Sequence, residues 1–372
     1  MDDELKYLIA LTSIHGIGPI KARLLMETFG SARAVLEADR HSLSVLNRTG
    51  QLLMEQDLPS LLARAEQEIR FANDHNIQIL VHGQHNYPRR LLSCPDAPAV
   101  LYYLGKADLN RPHTISIVGT RACTQYGRDI VAQLLSDLRE AMPDLLVISG
   151  LALGIDISAH RAALQNGLPT LGVVAHGLDR IYPAVHRNTA SQMIDQGGGI
   201  ITEYLTHTEP IAANFLARNR IIAGLSDAVI VAESRDKGGS LVTASIALDY
   251  NRDVFAFPGR CNDDRSKGCN RLIRLNRAGL ITCAKDLLEA LGWENKSANK
   301  ASALQQSIPF VEENLSANGR LILDALRQHG DLRISQLNDL TGLDNIVLIE
   351  ELLNLEMDGK IRNCPGGLYQ LR

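Results

Sequence analysis

The residues able to do chemistry stand just after short apolar runs. The densest group is Ser149-Gly-Leu-Ala-Leu-Gly-Ile-Asp156, between the apolar Leu145-Leu-Val-Ile148 and the helix-like stretch 157–165. A strand, a glycine turn and a helix start in that order favour an anion. Gly150 and Gly154 let backbone approach a ligand, and the first helical N–H groups carry unsatisfied positive charge. The spacing is neither G-x-G-x-x-G nor a P-loop with its Gly-Lys-Ser/Thr. Similar groups recur as Gly119-Thr120-Arg121 and Lys237-Gly238-Gly239-Ser240, with Arg218-Asn219-Arg220 on a helical stretch. Arg235, Arg260, Arg265, Lys267, Arg271, Arg274 and Arg277 add positive charge to the later loops. Phosphate chemistry fits best, in a nucleotide or a single-stranded backbone. The alternative for the later arginines is a solvated helix face.

Catalytic machinery is harder to assemble. Asp156 and His160 form an i, i+4 pair, which reads either as an acid–base dyad or as a structural pair. Glu203 and Glu233 each follow a strand, where a catalytic carboxylate would sit. No nucleophile–base–orienter triad and no metal-ligand spacing is visible. The six cysteines are scattered without a C-x-x-C, as in reduced cytosolic proteins.

Positioning these groups requires a sheet. Apolar runs at 114–118, 145–148, 169–174, 199–203, 227–233 and 253–257 alternate with helical stretches, which predicts a doubly wound, mainly parallel, extended Rossmann-like α/β sheet. Its ligands belong beyond the carboxyl ends of the strands, where the glycine turns converge. Residues 77–81 alternate into a further strand. The proline-bearing stretch 96–105 reads as irregular or edge structure. Residues 1–75 read as an N-terminal helical domain (SAM/helix-hairpin-helix-like). There Gly16-Ile17-Gly18 precedes Lys21 and Arg23; a helix-hairpin-helix turn and a tight turn in a small bundle are the two readings. The predicted division is 1–75 helical, 76–293 Rossmann-like, 294–315 polar linker and 316–372 winged helix. In the last, helical patterns at 321–328, 334–340 and 345–358 precede a hairpin. Its third helix carries Glu350, Glu351, Glu356 and Asp358 and no Lys or Arg, a poor match for DNA phosphates.

The chain has 372 residues, 45% hydrophobic, and a formal net charge of −4, which excludes a globally basic nucleic-acid coat but not a basic groove. Aromatic residues are 4%, with one tryptophan, so at most one or two stacking residues are expected. The acidic Met1-Asp-Asp-Glu start lacks a signal-peptide core, and no apolar run is long enough to cross a bilayer, so a cytoplasmic protein without membrane contact is expected.

Val118-Gly-Thr-Arg121, Tyr126-Gly127, Ser149-Gly-x-Ala-x-Gly-Ile-Asp156-x-x-Ala-His160, Tyr182-Pro183, Glu203, Phe215-x-x-Arg-Asn-Arg-Ile-Ile-Ala-Gly-Leu-Ser226, Gly239-Ser-Leu-x-Thr-Ala244, Pro258-Gly259 and Gly268-x-Asn-x-Leu-Ile273 together resemble the DNA-processing protein A (DprA/Smf) family. The resemblance runs in order over about 77–293. It implies a single-stranded DNA-binding protein that protects incoming DNA and loads the recombinase RecA in natural transformation. It also implies a homodimer, no cofactor and no enzymatic activity. By motif position, Arg121, Ser149, Gly150, Lys237 and Gly239 would lie on DNA phosphates. The full expected phosphate-binding set adds Gly119, Thr120, Arg218, Asn219, Arg220, Gly238 and Ser240. Thr120 and Gly238 each stand where the family commonly has Ser, which puts one hydroxyl contact at Gly238 in question. The stretch 272–281 alternates apolar and basic residues at a predicted edge strand, so Leu272, Leu275 and Leu280 are the expected dimer seam. The rival classes are a phosphoribohydrolase-like nucleotide-processing enzyme and a winged-helix transcription regulator. The first would need a Pro-Gly-Gly-x-Gly-Thr loop, where this chain has Asp236-Lys-Gly-Gly-Ser-Leu241; the acidic third helix argues against the second.

Overall fold

Strands that are apolar on both faces must be covered on both faces, and the chain meets this demand with one large sheet. The computed structural model describes residues 2–293, 316–364 and 368–371. The predicted linker, 294–315, lies outside them. The chain divides into two compact units, Met1–Asn295 and Lys296–Arg372.

The first unit is built on nine strands: β1 (Gln78–Val81), β2 (Val100–Gly105), β3 (Thr114–Val118), β4 (Leu146–Ser149), β5 (Thr170–Val173), β6 (Gly199–Thr202), β7 (Ala228–Val231), β8 (Asp253–Ala256) and β9 (Gly279–Leu280). Their order is β1-β2-β6-β5-β4-β3-β7-β8-β9. The strands from β6 to β9 in that order run parallel, while β1 and β2 are antiparallel additions. Successive side chains alternate between faces. Ile115, Ile117, Val147 and Ile230 enter one core, and Val118, Leu146, Ile148, Val229 and Val231 the other.

One sequence expectation is corrected here. Residues 100–105 are neither irregular nor an edge. β2 lies inside the sheet, paired with both β1 and β6, and its first four residues are buried. Pro95 and Pro98 precede the strand and so remove no ladder donor from it.

Helices Asp2–Ser13, Pro19–Phe29, Ala32–Leu36, Arg40–Ser44, Arg48–Met54 and Leu58–Asp74 form a layer whose core runs on into Ala99, Val100 and Tyr102 of the β2 segment. The buried Glu68 carboxylate ties this layer to the segment after β6. It accepts from the Thr206 N–H and hydroxyl and pairs with Arg64 at 3.0 Å. At the turn before the second helix, Lys21 donates to the Gly16 carbonyl and Arg23 to that of Pro95, so both cations are engaged with backbone.

The second unit runs helix Ala317–His329, β10 (Leu332–Arg333), helices Ile334–Thr341 and Asn345–Met357, β11 (Ile361–Cys364) and β12 (Leu368–Leu371). The strands pair antiparallel in the order β10-β12-β11. Ile322, Leu326, Leu337, Leu348, Leu352 and Leu355 fill its core.

Candidate functional site

The order of the parallel strands reverses at β3. The chain moves from β3 to β4 on one side and later returns to place β7 on the other. The loops leaving β3 and β7 therefore part, and a crevice opens at the carboxyl ends of the strands. It holds about 270 Å³. Gly119, Thr120 and Arg121 line it from β3, and Arg235, Lys237, Gly238, Gly239 and Ser240 from β7. Ala152 contributes from the turn after β4, Asp156 from the first turn of helix Ile155–Gln165, and Phe215, Arg218 and Asn219 from helix Ala212–Gly224. No side chain caps helix Gly239–Asp249, so its positive end opens into the cleft. Gly154 has φ +81°, and a side chain there would collide with the Thr120 carbonyl, so glycine is required for the two turns to meet.

Arg121, Arg235 and Lys237 are exposed at the mouth. The Arg121 guanidinium lies 5.0 Å from the Phe215 ring centroid, and Tyr182 is 6.0 Å from the same ring. From sequence, Phe215 is only the start of a motif, with no role expected of it at the site. Its signal was there: a scarce aromatic three residues before Arg218 projects from the same helix face. Ser240 lines the wall, its hydroxyl donating to the Ser234 hydroxyl.

Four of the expected phosphate ligands have partners inside the protein. Ser149 is fully buried and its hydroxyl donates to the Ile117 carbonyl at 2.6 Å, so it stitches β4 to β3. Arg220 turns away to pair with Glu203. Arg218 is 3% exposed and donates to the carbonyls of Gly150 and Val173, at the ends of β4 and β5. It forms the floor of the cleft as a clamp. Burial draws its pKa down to about 10, against the pull of Asp156. Burial likewise pushes the Asp156 carboxyl up, with Arg218 and Arg121 opposing. Gly150 passes this pair so closely that a Cβ there would sit 2.6 Å from both the Arg218 guanidinium and the Asp156 carboxylate. Gly150 thus serves the clamp through its carbonyl and its missing side chain.

The expected dimer residues also divide. Leu272 belongs to the core of its own sheet, because it sits on the inner face of helix Lys267–Arg274. Leu275 and Leu280 are each 50% exposed. Of the later cations, Arg271 pairs with Asp236 and Lys267 with Asp264.

The acid–base reading of His160 does not fit its surroundings. The ring is fully buried, its Nδ1 lies 2.7 Å from the Thr170 hydroxyl, and burial, aided by His186 and Arg218, pushes its pKa down to about 3. It stays neutral and out of the cleft. Glu233 is buried and accepts from the Thr124 N–H and hydroxyl at the start of helix Gln125–Ala141. Among the described residues no group of His, Cys, Asp and Glu is placed to hold a metal ion, and no helix is long and apolar enough to cross a membrane.

Comparison with known proteins identifies the family. Residues 78–292 match the family model for DNA recombination-mediator protein A. Protein Smf of Escherichia coli is 32% identical over 336 residues, 88% of this chain and 87% of that protein. DNA processing protein DprA of Streptococcus pneumoniae is 42% identical over 202 residues, 54% of this chain and 70% of that protein. The X-ray structure of DNA processing protein A from S. pneumoniae superposes with a TM-score of 0.65 at 32% identity, covering 76% of this chain and 97% of that one. DNA processing protein A from Helicobacter pylori, whose structure was described for its unique single-stranded DNA binding mode, gives a TM-score of 0.52 at 32% identity, covering 58% and 96%. With a family model spanning more than half its length and the sheet, switch-point cleft and glycine turns in place, the chain belongs to the DNA recombination-mediator protein A (DprA/Smf) family.

Proposed function

We propose that the cleft between the β3 and β7 loops binds single-stranded DNA. The observation that carries this reading is the convergence of Arg121, Arg235, Lys237 and an uncapped helix start on one cleft, with the Phe215 ring beside them. Cations and helical N–H groups suit a phosphate, and the ring suits an unstacked base. A base is free to stack only when it is not paired, so the combination favours a single strand over a duplex. The H. pylori relative's described binding mode supports the same class of ligand.

On this reading the protein acts by binding, not catalysis, without a cofactor, in the cytoplasm. It protects an incoming strand and loads RecA on it during natural transformation. It does so as a homodimer through the surface around Leu275 and Leu280, beside the unpaired outer edge of β9. Two clefts on one strand gain effective concentration without new contacts. The functional segments are 1–75, 76–293, the linker 294–315 and 316–372, the last a winged helix by its helix–strand–helix–helix–strand–strand order.

The test is a salt series of binding to single- and double-stranded oligonucleotides, run beside an assay for base release from nucleotides. Single-strand affinity is expected to fall steeply with salt, by a log–log slope of about 0.7 per phosphate contact. Equal duplex affinity, no salt dependence, or released base would overturn the assignment.

A further inference from the structure

In the second unit, helix Asn345–Met357 shows two apolar faces where one core needs only one. Leu348, Leu352 and Leu355 are buried against the other elements. On the far side Ile346, Ile349, Leu353 and Met357 are exposed, Ile346 at 76% and Met357 at 79%. Their steps of three, four and four residues keep them in one line along the helix. Four large apolar side chains in a row on an exposed helix are the usual signature of a helix-in-groove contact.

The borders of the stripe say what covers it. Glu350 stands four residues after Ile346 and three before Leu353, on one flank. Glu356 stands three residues after Leu353 and seven after Ile349, on the other. Both are exposed. From residue 334 to 359, across two helices and their turn, there is no lysine or arginine. A DNA phosphate backbone would meet repulsion along this whole surface. A second copy of the same helix would set Glu350 and Glu356 against their own equivalents, since a two-fold contact repeats each patch. A partner with apolar side chains flanked by cations satisfies both the stripe and its borders.

We propose that this face is a docking site for a protein partner that presents an amphipathic helix with lysine or arginine beside its apolar stripe. The helix occupies the recognition-helix position of a winged helix, but its chemistry selects protein. The inference does not depend on single-strand binding in the cleft.

The experiment uses the full chain and a designed peptide of about four helical turns, with leucines at i, i+3, i+4 and i+7 bordered by lysines. A second peptide carries glutamates in place of the lysines. Fluorescence anisotropy should show the lysine peptide bound and the glutamate peptide not. Ile349→Ser with Leu353→Ser should weaken the lysine peptide about tenfold or more. Glu350→Lys with Glu356→Lys should invert the preference toward the glutamate peptide. All four positions are exposed, Glu356 also accepting from the Asn363 N–H, and unchanged thermal unfolding confirms the fold of each variant. Single-strand binding should be the same in the Ile349→Ser, Leu353→Ser variant as in wild type. The proposal is overturned if the lysine peptide does not bind, if it binds all variants equally, if the Ile349→Ser, Leu353→Ser variant changes the mass of the protein by light scattering, or if that variant loses duplex binding.

Discussion

Replacing Arg218 by methionine separates a clamp from a ligand. The side chain is buried, donates to two carbonyls at the ends of β4 and β5, and faces the buried Asp156 carboxylate. Methionine keeps much of the volume and removes the charge and the donors. Two carbonyls then lose a charged donor and one carboxylate is left buried with Arg121, at the cleft mouth, as its remaining cation. Leaving a buried carbonyl without its donor costs about 1–3 kcal/mol each. Asp156 also gives the loss a pH signature. Its carboxyl already lies above its ordinary value because of burial, and without Arg218 it rises further. A carboxyl raised on folding contributes stability below its unfolded pKa and loses it as pH rises through the folded value. The deficit should therefore be largest near neutral pH and shrink as pH falls toward about 4, the unfolded value. Urea unfolding of wild type and variant at several pH values measures it. A variant with wild-type stability at neutral pH that fails to bind single strands would refute the clamp and restore Arg218 as a ligand.

Other expectations follow from the same geometry. Arg121→Ala with Lys237→Ala removes exposed cations, so thermal stability should hold while single-strand binding loses about 1.5–3 kcal/mol per lost charged contact; a folded double variant of wild-type affinity would move the phosphate site. His160 is held neutral with a folded pKa near 3, well below the unfolded value of about 6.5. Between those values the unfolded chain takes up the proton and the folded one does not, so stability falls with acidification at about 1.4 kcal/mol per pH unit from this group. Urea titrations of wild type and His160→Gln should differ by that slope, and parallel curves would refute it. Glu68→Ala strips the Thr206 N–H and hydroxyl of their buried acceptor and should cost about 3 kcal/mol in urea unfolding; a change under 1 kcal/mol, about that of a surface pair, would show the latch to be dispensable. Leu275→Asp should leave the fold intact and halve the mass seen by light scattering, and a folded variant that stays dimeric would place the seam elsewhere.

The strands from β3 to β8 were legible because each is a short, mostly apolar run buried on both faces, and that pattern is local. So were the glycine turns, since strand, turn and helix are neighbours in the chain. β2 was not legible, because its prolines stand within a few residues of it and only its pairing with β1 and β6 reveals an interior strand. Ser149 and Arg220 looked like ligands by type and position. Tertiary structure turned one inward to the Ile117 carbonyl and gave the other to Glu203, 17 residues away. Phe215 became part of the cleft only when helix Ala212–Gly224 crossed the carboxyl end of the sheet. The sequence by itself determined the alternation of strand and helix and the end of the sheet where a ligand belongs, because backbone propensity and side-chain period act over a few residues. Strand order, and with it the choice of which cations face the cleft, was decided by the tertiary structure. A long polar side chain takes whichever partner folding brings within reach, and that partner is remote in sequence.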